Sequence, residues 1–121
     1  MDDQDTLTSL KRQVVAFREE RAWGIFHTPK NLAMALAIEA GELQELFLWK
    51  DDQEIFDLLP DNSFRIRVQE ELADILIFLL YLAEATGIDL SEAVKAKLLK
   101  NQAKYPVFKS FGSNKKYTDL K

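Results

Sequence analysis

The chain has 121 residues, 47% hydrophobic and 30% charged, which is one domain's worth of globular composition. It holds no cysteine and a single histidine, His27, which excludes disulfides, Cys-ligated zinc, iron–sulfur clusters, thiol catalysis and His-rich metal sites. Its 20 acidic side chains outnumber 16 basic ones for a net charge of −4, which speaks against a protein that grips nucleic-acid backbones.

The N-terminus is acidic (Asp2, Asp3, Asp5) and carries no signal-peptide pattern. The longest charge-free run, Ile75 to Ala83, is far short of a bilayer span. A soluble, cytoplasmic protein without a membrane partner is expected. Apolar spacing is helical almost throughout, and no period-2 stretch is long enough for a strand. Leu7, Leu10, Val14 and Phe17 mark a first helix from about Leu7 to Trp23, capped by Asp5 or Thr6. Thr28 as N-cap and Pro29 at the first helical position open a second, running to about Trp49.

The polar linker from Lys50 to Asp61 contains Ile55, Phe56, Leu58 and Leu59, enough for a short extra turn of helix. A third helix spans Asn62 or Ser63 to Thr86, with Gly87 placed as its left-handed C-cap. A fourth opens at Asp89, with Glu92 three residues on as a capping box, and ends before Pro106. Residues 106–121 have four lysines against Asp119 and no sustained apolar period, so they read as a basic, partly mobile tail after a 1–105 helical domain. Four helices with short connections predict an all-α, four-helix bundle.

The informative side chains are acids on the wrong face. On a wheel of about 100° per residue, Leu32, Leu36, Leu43 and Leu46 define the apolar stripe of the second helix, with Glu39 at its centre and Glu42 at its edge. The third helix repeats this: Val68, Ile75, Phe78 and Leu82 form the stripe, Glu71 is central and Asp74 is at the edge. Four carboxylates meeting between two helices would repel and protonate unless something cationic sits among them. No lysine or arginine follows Arg67 on the third helix, and none lies between Lys30 and Lys50 on the second. Cross-bundle ion pairs are therefore the weaker explanation. A hard divalent cation is the stronger, and oxygen-only ligation selects Mg²⁺, with Mn²⁺ as a substitute. Such a site serves attack of water on a phosphoryl group. The four carboxylates equal the net charge of −4, so the acidity is a site before it is a surface.

Glu45, one turn beyond Glu42, either orients and deprotonates a water or is an ordinary solvated acid. Glu70 reads as a surface or outer residue. Lys97, Asn101 and Tyr105 fall on one stripe of the fourth helix with Lys104 beside it, either serving a phosphate or complementing the helix dipole and sealing the core. Trp23, His27 and Trp49 flank the ends of the first two helices, as packing or as a slot where a base stacks and an imidazole directs it.

The strings AFREERAWGIFHTPKNLAMALAIEAGELQELFLWK, QEELADILIFLLYLA and KNQAKYP together resemble the MazG-like nucleoside triphosphate pyrophosphohydrolases, and within them the single-domain dCTP pyrophosphatase type. The resemblance covers about residues 10–106. Its signature is Glu-x-x-Glu followed by Glu-x-x-Asp, here separated by the 28 residues from Leu43 to Glu70. It implies an all-α homotetramer, a dimer of dimers with sites at subunit contacts, or a dimer. It also implies Mg²⁺-dependent hydrolysis of a (deoxy)nucleoside triphosphate to monophosphate and pyrophosphate. By resemblance Glu39, Glu42, Glu71 and Asp74 match the metal ligands. Trp23, His27 and Trp49 match the base-holding positions, and Lys97, Asn101, Lys104 and Tyr105 the phosphate side. Val14 departs from the pattern, standing where animal dCTP pyrophosphatases carry histidine.

Two rivals differ in class. A ferritin-like di-iron bundle needs Glu-x-x-His on two helices, and no histidine follows these glutamates. A non-catalytic helical oligomerisation module would bind Mg²⁺–nucleotide without cleaving it.

Overall fold

The computed structural model describes residues 1–120. It is all-helical, with no strand among the described residues. The order is α1 (Leu7–Glu19), one 3-10 turn (Trp23–Phe26), α2 (Pro29–Phe47), α3 (Asp52–Leu58), α4 (Asn62–Thr86), α5 (Leu90–Lys104) and α6 (Val107–Ser110), then a 3-10 turn at Tyr117–Asp119. None of these helices is long and apolar enough to cross a membrane.

Side chains fix most of the boundaries. Thr6, Thr28, Asp51, Asp61 and Asp89 each accept a hydrogen bond from the backbone N–H three residues on, capping α1 through α5 in turn. The sequence placed the start of α4 at Asn62 or Ser63; Asp61 is the cap because its carboxylate reaches the Phe64 N–H at 3.1 Å. The first helix stops four residues short of Trp23, because Ala22 turns left-handed at φ 53° and breaks the α-helical ladder. Likewise α2 ends at Phe47, since Leu48 is extended and Trp49 is left-handed at φ 64°. Gly87 closes α4 at φ 68°, as its glycine suggested.

The chain divides into two compact units, the first spanning Met1–Gly87 and the second beginning at Ile88. In the first, α4 is the central element: α2 packs along it, and α1 packs on it as well. The core is small, consisting of Leu32 and Leu46 from α2 and Phe64, Leu80, Tyr81 and Ala83 from α4. Phe47 meets Phe64 edge-on at 5.9 Å, closing one end of the α2–α4 seam. At the other end buried Arg18 of α1 pairs with Glu84 at 3.1 Å and Glu19 at 2.7 Å. Its guanidinium also lies 5.5 Å from the Tyr81 ring, and the Tyr81 hydroxyl donates to the Val14 carbonyl at 2.7 Å, tying α4 to α1.

The second unit contains α5, α6 and the last 3-10 turn. The basic tail carries this much helix, and Tyr117 folds back so that Tyr105 meets it edge-on at 6.1 Å and the Lys104 ammonium lies 4.8 Å from its ring centre.

A Cβ built on Gly87 meets nothing within 4 Å, so its replacement tests backbone conformation alone. Gly87→Ala should cost about 1 kcal/mol, and Tyr81→Phe, which removes the hydroxyl bonded to the Val14 carbonyl, about 1 kcal/mol. Leu80→Ala in the core should cost about 2–5 kcal/mol. Urea denaturation of the three variants checks the ranking.

Candidate metal centre and nucleotide site

The α2–α4 seam that holds the core also holds the acids. Glu39 and Glu42 are one turn apart on α2, Glu71 is on the facing side of α4, and each offers an oxygen within 4.8 Å of the others'. One oxygen each of Glu39 and Glu71 (Oε2) is buried without a hydrogen-bond partner. Asp74, half-buried, lies outside this converging trio, yet its charge acts on both Glu39 and Glu71. The salt bridges among the described residues involve Arg18 and Arg21 only, so no basic side chain neutralises the cluster.

The electrostatics follow from this crowding. Burial, then the neighbouring Glu71 and Glu42 carboxylates and the charge of Asp74, push the Glu39 carboxyl up from an ordinary 4.5 to about 7. Glu71 is raised too, by desolvation first and then by Glu42 and Asp74, with the Glu39 carboxyl pulling the other way. Like charges that cannot all ionise, with buried oxygens lacking donors, fit a site whose charge is completed by a hard cation. The donor set is oxygen only, which suits Mg²⁺-like and not thiophilic ions.

A groove opens beside the trio, with a volume of about 450 Å³ and walls of Glu42, Glu45, Leu46, Arg67, Glu70 and Glu71. Glu45, open between two roles in the sequence, therefore lies in the same groove as two of the converging acids. Glu70 lines it too. Arg67 is the groove residue that pattern reading passed over. It was counted only as a candidate partner for the acids; its position one turn before Glu71 was the available signal.

The other candidates are placed as follows. His27 is half-buried, its ring 4.8 Å from that of Tyr81, and its Nδ1 has no partner. Desolvation, then the nearby Arg18 charge, lowers its pKa below the usual 6.5, so it is neutral at neutral pH. Trp23 meets Phe17 edge-on at 5.8 Å and is partly exposed. Trp49 is 92% exposed in its left-handed conformation, a costly arrangement for a bulky residue. Lys97, Asn101, Lys104 and Tyr105 all belong to the second compact unit. There Lys97 and Asn101 lie four residues apart on α5, and the Tyr105 N–H donates to the Asn101 carbonyl at 2.8 Å.

Fold and site together define an all-helical protein with a carboxylate-built centre suited to a divalent cation. The chain belongs to the MazG-like family, which matches residues 34–120. It is 46% identical over 117 residues to dCTP pyrophosphatase 1 of Bos taurus, covering 97% of this chain and 69% of that protein. It is 42% identical over the same length to the dCTP pyrophosphatase 1 of Homo sapiens, with the same coverage. Among solved structures it resembles a pyrophosphatase from Archaeoglobus fulgidus, with TM-score 0.75 and 44% identity over 80% of this chain and 89% of that one.

The raised Glu39 pKa fixes the sign of a pH effect. At a pH below 4.5 the carboxyl is protonated folded or unfolded and costs nothing; above about 7 it is charged in both, and the folded state bears the full penalty. Stability of the metal-free protein should therefore fall as pH rises between those values, with Glu71 adding in the same direction. Thermal melting in chelator should show wild type losing a few degrees from pH 5 to pH 8. Glu39→Gln should flatten that slope.

Proposed function

We propose that this chain is a nucleoside triphosphate pyrophosphohydrolase that cleaves a deoxynucleoside triphosphate, such as dCTP or a modified pyrimidine dNTP, to the monophosphate and pyrophosphate. The observation that carries the reading is the convergence of Glu39, Glu42 and Glu71 with buried, unpartnered oxygens, in a chain of this family. The dCTP pyrophosphatases it resembles support the substrate class.

Glu39, Glu42, Glu71 and Asp74 would hold Mg²⁺ (or Mn²⁺), which when bound supplies charge neutralisation of the triphosphate and acidifies water. Glu45, in the same groove, accepts the proton of the attacking water. The water oxygen bonds to the α-phosphorus as the bond from that phosphorus to the bridging oxygen breaks, and pyrophosphate leaves. Lys97, Asn101, Lys104 and Tyr105 serve the phosphate side, where two ammonium groups offset charge on the leaving group. Trp23 and Trp49 offer faces on which a base stacks, and neutral His27 offers it a directional hydrogen bond. A solvent-exposed Trp in a left-handed backbone has no packing role to explain it within its own unit, which supports a ligand-facing one.

Self-association completes the reading, as a homotetramer (dimer of dimers) or a dimer whose subunit contacts finish a four-helix bundle. Its support is the apolar surface left uncovered. On α2, Met34 and Ile38 are 58% and 61% exposed, and Leu48, just beyond it, is 53% exposed. Between them stands Gly41, a helix-weakening residue where a side chain would find open space within 4 Å. That stripe fits the close approach of another helix. Residues 1–105 act as the catalytic domain, with 106–121 as its basic tail, in the cytoplasm.

A pyrophosphate-release panel over the common and 5-modified dNTPs, with and without Mg²⁺, tests the reaction. Turnover should need the cation, and Glu71→Ala or Asp74→Ala should fall below about a hundredth of wild type while keeping the helical circular-dichroism spectrum. Retained activity in either variant overturns the assignment, and binding without cleavage by wild type would indicate the nucleotide-binding module instead. Light scattering should give a multiple of the 14.0 kDa chain.

A further inference from the structure

The groove beside the carboxylate trio continues past it. A second hollow of about 320 Å³ shares Glu45, Leu46 and Arg67 with the first and extends to Lys50 and Ser63. Arg67 lies where the two meet, three residues before Glu70 and four before Glu71, spacings at which an arginine and a glutamate on one helix ordinarily pair. Among the described residues it forms no salt bridge, and neither does Lys50. A groove walled by Glu45, Glu70, Glu71 and Asp61 thus keeps an uncommitted guanidinium at its middle and an uncommitted ammonium at its far end.

A planar guanidinium with five donors matches the oxygens of a phosphoryl group in a two-bond fork. An anion enters so acidic a groove only if its charge is met from both ends. The trio, loaded with its cation, meets it at one end, and Arg67 and Lys50 meet it at the other. We propose that Arg67 binds the β- and γ-phosphates of the triphosphate, and so holds the pyrophosphate product, with Lys50 and Ser63 beyond it in the same groove. The proposal rests on the pyrophosphohydrolase reading above. It deepens that reading by giving the leaving group a cation on α4, built into the same helix as Glu71. As the bond from the α-phosphorus to the bridging oxygen breaks, negative charge builds on the pyrophosphate, and Arg67 is placed to neutralise it.

The test uses the full-length chain with Arg67→Ala and Arg67→Lys. Each is measured for direct binding of inorganic pyrophosphate by calorimetry in the presence of Ca²⁺, for KM and kcat on the preferred dNTP, and for inhibition by the two products. In Arg67→Ala, pyrophosphate affinity should weaken and KM should rise by about 10- to 100-fold, while inhibition by the nucleoside monophosphate stays within about twofold. The lysine variant, keeping charge without the fork, should recover part of the loss. An active wild type whose pyrophosphate affinity is unchanged by Arg67→Ala overturns the proposal alone. Equal weakening of both products overturns it too, since that marks a general effect on the groove. A wild type that cleaves no dNTP overturns the functional reading and this proposal with it.

Discussion

The repulsion between carboxylates across the α2–α4 seam is the constraint around which this protein is arranged. Ordinarily the centre of a helix–helix contact is where apolar side chains gain most from leaving water. Here Glu39 and Glu71 occupy those positions, and the same contact that buries Leu32, Leu46 and Leu80 also brings three acids within 4.8 Å. A neutral protein interior cannot hold these charges; one proton near Glu39 relieves them in part, and a cation relieves them fully. A cation bound there would therefore also favour the packing of α2 against α4.

A consequence is that the rest of the first unit must fix α4 rigidly enough to keep the acids converged. The hydroxyl of Tyr81 holds α1 through the Val14 carbonyl, while Arg18 joins α1 to Glu84 on the next turn of α4. Phe47 against Phe64 closes the opposite end. His27 rests on the same Tyr81 ring, so the imidazole beside the nucleotide candidates and the helix that carries Glu71 and Asp74 share one anchor. Loss of that anchor would disturb both.

The smallness of the core points outward. Among the described residues six apolar side chains are buried, while Met34, Ile38, Leu72 and Leu76 on the two main helices keep much of their surface in water. Apolar faces of this extent are what the proposed self-association would cover. The open space at Gly41 belongs to the same picture.

The features legible in the amino-acid order were local and periodic. Thr28–Pro29, Asp89 with Glu92, and Gly87 were readable because capping is a contact between residues three or four apart. Glu39, Glu42, Glu71 and Asp74 stood out because a helix repeats every 3.6 residues, so an acid on an apolar stripe is visible without any neighbour. Only tertiary structure decided that Glu39, Glu42 and Glu71 converge while Asp74 acts from slightly further away. The same holds for Glu45 facing the groove and Arg67 standing unpaired in it. Those facts depend on how α2 and α4 face each other across residues far apart in the chain, and on which neighbours are close enough to neutralise a charge. Neither the early stop of α1 before the left-handed Ala22 nor the outward turn of Trp49 is legible in residue types, since both are backbone conformations those residues disfavour.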